Sequence, residues 1–136
     1  MRLLHIIFVA SAVGMSPVLA NAAMARTHDA CKVLPAEAVA KILGNAVTTE
    51  GSTATSCFYN GPKGSGGQFQ IMSESAAPNA AARMHAGGGS PPAGSGLIGG
   101  MYQEGAVLFS VSITSTDKAK LDAIVALVRA NLKSRS

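Results

Sequence analysis

Ala106-Val107-Leu108-Phe109-Ser110-Val111-Ser112-Ile113-Thr114 is the stretch that decides the fold. Val107, Phe109, Val111 and Ile113 alternate with Leu108, Ser110, Ser112 and Thr114, the period-two pattern of a strand with a buried face. Just downstream, Leu121, Ile124, Val125, Val128 and Leu132 fall at offsets 0, 3, 4, 7 and 11, one stripe along a helix. Ser115 or Thr116 can cap that helix, and Asp117 sits in its first turn. A half-buried strand followed at once by an amphipathic helix predicts a sheet with helices packed on it.

Working outward, Met101 to Glu104 reads as a strand that turns at Gly105 into the first stretch. Gly87 to Gly100 is rich in glycine, serine and proline and reads as a mobile loop. Ser75 to Ala86 is alanine-rich and predicts a helix with a small footprint. Gln68 to Ser73 reads as a strand with Phe69 and Ile71 on one side. It forms a hairpin across Gly61 to Gly67 with a strand over Thr53 to Asn60, where Thr55, Cys57 and Tyr59 share a face. Ala46 to Glu50 reads as a further short strand. A first helix is predicted over Val33 to Gly44, with Pro35 in its first turn, Glu37 at the positive end of its dipole, and Gly44 as its stop. The expected fold is α+β: an antiparallel sheet of four to five strands with three helices, in the order α-β-β-(β)-α-β-β-α.

The N-terminal end has a different pattern. Arg2 precedes an almost wholly apolar run from Leu3 to Met15, Pro17 breaks it, and small residues follow. Ala20-Asn21-Ala22 and Ala23-Met24-Ala25 both satisfy the small-x-small rule of signal peptidase. This is the signature of a cleaved secretory signal over residues 1–25, leaving a single α+β domain over residues 26–136. The apolar run is about 13 residues, short of the roughly 20 that a span requires, so no stable membrane span is expected after cleavage. The expected localisation is exported, periplasmic or secreted.

Loss of Arg2 lowers the net charge from +4 to about +3, spread along the chain except for Arg129, Lys133 and Arg135. Cations favour a helix C-terminus, and there is no basic stripe interleaved with aromatics, so no nucleic-acid partner is expected. The 2 cysteines, Cys31 and Cys57, read as one disulfide in an exported chain. Closing a ring of about 27 residues contributes roughly 3.5 kcal/mol in the chain-entropy model. Two cysteines without neighbouring histidines are too few for zinc, and no metal or other cofactor is expected.

Chemical motifs are sparse. Gly94-Ser95-Gly96-Leu97-Ile98-Gly99 matches G-x-G-x-x-G, but Pro91-Pro92 precedes it and no strand-helix unit surrounds it, as a dinucleotide fingerprint requires. His28 and His85 read as exposed, one before the first helix and one at a helix end. Asp29, Glu37, Glu50, Glu74, Glu104, Asp117 and Asp122 show no paired spacing, and no serine lies in a G-x-S-x-G elbow. Catalytic residues are therefore not assigned. Tyr59 and Tyr102 read as half-buried sheet residues, and Tyr102, directly after the glycine loop, is placed to line a ligand groove.

Cys31-Lys32-Val33-Leu34 leading into Ala36 to Gly44, then Ser56-Cys57-Phe58-Tyr59, and then Gly94 to Tyr102 before a strong strand and a final amphipathic helix, carry a resemblance. The chain resembles a domain family of unknown function in small secreted proteins and lipoproteins, typical of actinobacterial envelopes. The resemblance implies the same α+β layout and a Cys31–Cys57 bridge. The family's lipobox cysteine is missing, which favours a soluble form. Its usual Gly-Leu-Gly-Asp turn is here Gly96-Leu97-Ile98-Gly99, without the acid.

Taken together, these features predict an exported envelope domain that binds a small molecule or an envelope protein rather than catalysing a reaction. Tyr102, Gly94, Gly96 and Tyr59 are the candidate contact residues, since function tends to sit on loops held by a scaffold. The alternatives are a small periplasmic hydrolase with the glycine-rich loop as a lid and His85 as base, or an inhibitor of a secreted enzyme.

Overall fold

The computed structural model describes residues 28–87 and 90–136. The expected signal segment lies outside the described residues, as do Gly88 and Gly89 of the expected loop. The element order is α1 (Ala30–Val33), α2 (Ala36–Leu43), β1 (Ser56–Asn60), β2 (Gly66–Ser73), α3 (Ala80–Ala86), β3 (Leu97–Glu104), β4 (Val107–Thr114) and α4 (Lys118–Ser134). The fold is α+β, with one four-stranded antiparallel sheet in the order β1-β2-β4-β3.

Two hairpins build the sheet. β1 and β2 are joined through a short 3-10 turn at Pro62–Gly64, and β3 and β4 through Gly105 and Ala106. β2 and β4 then pair with each other, so α3 must cross from the middle of the sheet to its far edge. The register aligns Cys57, Phe69 and Val111 in one row and Ile71, Phe109 and Tyr102 in the next, all on one face. That face is the core. Phe69 and Phe109 are fully buried and meet edge to face, with ring centroids 5.8 Å apart. Leu121, Ile124, Val125, Val128 and Leu132 of α4 pack over it, as the helical stripe predicts, with Ala30, Val33, Leu34, Val39 and Leu43. Each large apolar side chain buried here contributes about 1.5–3 kcal/mol. The opposite face carries the half-buried polar side chains Gln68, Gln70, Ser110 and Ser112.

Four sequence expectations are corrected. The first helix is two: Pro35 has no N–H to continue α1 and pushes Leu34 out of the helical region, to φ −126° and ψ 88°. Pro35 is thus the N-cap of α2 rather than part of its first turn. The helix expected from Ser75 starts only at Ala80, because Asn79 adopts a left-handed conformation at φ 60°. Leu97 to Gly100, expected in the loop, belong to β3. The strand expected over Ala46 to Glu50 is reduced to a single bridge between Thr48 and Asn60.

Side chains from distant elements satisfy the carbonyls left open at the end of α1. Arg135 donates to Lys32 O at 3.0 Å, Asn131 to Val33 O at 2.7 Å, and Tyr59 to Leu34 O at 2.6 Å. Lys120 of α4 donates to Leu43 O at the end of α2, at 3.1 Å. The Cys31–Cys57 disulfide is formed, with Cα atoms 5.1 Å apart, and ties α1 to β1.

Candidate ligand-binding grooves

β3 carries two grooves, one at each end. The first, about 690 Å³, lies between the segment Ser90 to Gly96, the start of β3, and the start of α4. Gly94 and Gly96 turn the chain at its rim with φ of 81° and 74°. Pro91, Pro92, Leu97, Ile98 and Leu121 give it mainly apolar walls, and Leu97 is 40% exposed. Ser115, Thr116 and Lys118 form its polar end. The G-x-G-x-x-G match therefore runs from a turn into a strand, and no helix opens inside it.

The second groove, about 520 Å³, lies across β3 between α3 and α4. Tyr102 is in its floor, stacked on Phe109 with centroids 5.7 Å apart and planes 29° from parallel. Arg129 of α4 stands 5.9 Å from the Tyr102 ring centroid. His85 of α3 meets the same ring edge-on, with centroids 6.3 Å apart. The Nε2–H of His85 donates to the carbonyl of Met101. A Cβ on Gly100 would lie 2.9 Å from His85 Cε1 and 3.5 Å from the Tyr102 hydroxyl, so a larger residue there would displace the His85 ring. Burial raises the Tyr102 phenol's pKa, as does the Asp122 carboxylate, while Lys118 and Arg129 oppose them; the hydroxyl therefore stays protonated at neutral pH.

The four candidate contact residues are thus divided. Gly94 and Gly96 line the first groove and Tyr102 the second. Tyr59 is 3% exposed, with its hydroxyl on Leu34, and its side chain belongs to the core. His28, expected to be exposed, is buried, and its Nδ1 bonds the Glu74 carboxylate 46 residues away. The C-terminal basic residues are engaged: Arg129 and Lys133 share Glu104 at 3.9 and 3.5 Å, and Arg135 caps α1. Arg129 is the groove residue that sequence reasoning missed. The sequence groups it with Lys133 and Arg135 as a cation near a helix C-terminus, and only the packing of α4 over β3 brings it to Tyr102.

Among the described residues, no group of three or more His, Cys, Asp or Glu is placed to hold a metal ion. No helix among them is long and apolar enough to cross a membrane. Compared with protein-family models, curated proteins and solved structures, the chain finds no match.

Proposed function

We propose that this chain is an exported binding domain of the cell envelope, related to the secreted and lipoprotein domains it resembles, with no catalytic role. The groove beneath the Ser90 to Gly96 segment is its ligand surface. The observation that carries this reading is that groove's size and lining: about 690 Å³, within the range of small-molecule sites, with mainly apolar walls and a few polar groups at one end. The Cys31–Cys57 bridge supports the exported location, because disulfides persist in oxidising compartments.

Two measurements test the reading. Mass spectrometry of the protein from its own host, without reductant, should give a chain cut after Ala22 or Ala25 and lighter by two hydrogens. An uncut, reduced chain would overturn export. Nile red, a neutral apolar dye, should bind saturably at one site. Replacing Gly87 to Gly96 with a short linker should abolish that binding and leave the circular dichroism unchanged; retained binding would place the ligand surface elsewhere.

A further inference from the structure

We propose that the groove between α3 and α4 is a second site, distinct from the apolar groove, and that it takes a small aromatic carboxylate. The charge of its lining points to an anion. Among the described residues that line it, Arg129 is the one that is formally charged, and none carries a carboxylate. The acids that act on Arg129 and Tyr102, Glu104 and Asp122, are already compensated. Glu104 meets the Arg129 Nε at 3.9 Å, longer than a hydrogen bond, and is shared with Lys133 at 3.5 Å. Asp122 is held by Lys118 through both oxygens, at 2.8 and 2.9 Å. The balance around the groove is therefore positive, and a guanidinium gives a carboxylate charge-assisted hydrogen bonds.

The floor points to a flat ring. Tyr102 is fixed from below by Phe109 and from the side by His85, so its exposed part is a rigid aromatic surface. Aromatic pairs gain stabilisation beyond their buried area when offset or edge-on. Arg129 is already within cation–π distance of that ring. A ligand ring seated beside Tyr102 thus brings a carboxylate substituent within reach of Arg129. The remaining polar side chain of the floor, Gln103, is used up internally. Its Nε2 donates to Ala77 O and Gly105 O at 2.9 and 3.0 Å, and its Oε1 accepts from Ala81 N–H at 3.4 Å. Gln103 is thus not free for a ligand; Arg129 supplies the charge and the Tyr102 ring the flat surface, with Asn79 and His85 on the α3 side of the lining.

The test is an NMR titration of the oxidised protein with benzoate, benzyl alcohol and acetate. Benzoate should saturate, shifting the Tyr102 ring and the amides of Ala82 and Gln103. Benzyl alcohol and acetate should each bind about tenfold more weakly or worse, the size expected for losing a charged hydrogen bond or an aromatic contact. Arg129→Gln, at a half-exposed position, should bring benzoate down to the level of benzyl alcohol. Tyr102→Leu should weaken both ring-bearing probes about fivefold. Should Tyr102→Leu fail to fold, the Arg129→Gln comparison stands by itself. Acetate as tight as benzoate, unchanged benzoate affinity in Arg129→Gln, or shifts confined to Gly94 and Leu97 would each overturn the proposal. The Nile red test of the apolar groove is untouched by any of these outcomes.

Discussion

The hydroxyl of Tyr59 donates to the carbonyl oxygen of Leu34 at 2.6 Å, across 25 residues of chain. Leu34 is the residue that Pro35 forces out of helical geometry, so its carbonyl has no helical partner of its own to rely on. Both residues are buried, at 3% and 1% exposure. A β1 side chain thus closes the gap between α1 and α2. Tyr59→Phe keeps the ring and strands the carbonyl, and should cost about 1–3 kcal/mol in urea denaturation.

The same phenol has an alkaline signature. Burial lifts its pKa far above the ordinary 10.0. As pH rises past 10, the unfolded chain releases a proton that the folded chain retains, which favours unfolding. The contribution is fully present at neutral pH and is lost above pH 10, with a slope of up to about 1.4 kcal/mol per pH unit. The difference between wild type and Tyr59→Phe isolates this group from the lysines. Equal pH slopes for the two proteins would contradict a buried, neutral Tyr59.

The Cys31–Cys57 bridge joins the same region covalently. Its loop of about 27 residues leads us to expect that the double variant Cys31→Ala, Cys57→Ala loses roughly 3.5 kcal/mol. Reductant should lower the wild-type urea midpoint to that of the double variant and leave the variant's own midpoint unchanged.

The β1–β2 hairpin offers a contrast between two glycines. Gly64 has φ +75°, and a Cβ there meets nothing within 4 Å. Gly66 has φ +140°, and a Cβ there would lie 1.8 Å from the backbone oxygen of Tyr59. Gly64→Ala should therefore cost only its left-handed backbone, about 1–2 kcal/mol. Gly66→Ala must push β1 and β2 apart, at more than about 3 kcal/mol. Thermal unfolding of the pair checks the order; equal losses would contradict the close approach.

How much of this was legible depends on whether a residue's role is periodic. The β4 alternation and the α4 stripe could be read because each side chain repeats the same demand, a single buried face. α1 has one turn and so no period; its only local sign is Asp29, whose side chain caps the Lys32 N–H. Leu97 to Gly100 read as loop because Gly99 and Gly100 have no side chains to alternate, although β4 pairs with them throughout. The second groove was half legible. Tyr102 could be placed beside a groove, but Arg129 and His85 reach it only through tertiary packing, which local spacing does not encode. The Tyr59–Leu34 bond is hidden in sequence for the same reason.

α3 should be the first element to open. None of its residues is buried. It is held to β3 by His85 on the Met101 carbonyl and by the Gln103 amide, which reaches Ala77 O and Ala81 N. α4, in contrast, buries five apolar side chains. Local opening free energy follows buried apolar contact, so the amides of Ala82 to Ala86 should exchange with solvent orders of magnitude faster than those of Ile124 to Val128. Gln103→Leu removes both amide ties and should speed α3 exchange about tenfold, equivalent to one lost hydrogen bond of net value, while leaving α4 unchanged. Because α3 forms one wall of the Tyr102 groove, benzoate at a concentration that just saturates the wild type should slow α3 exchange there, and the same concentration should slow it clearly less in Arg129→Gln. Equal protection of α3 and α4 in the free protein would mean that α3 is held by more than its contacts with β3.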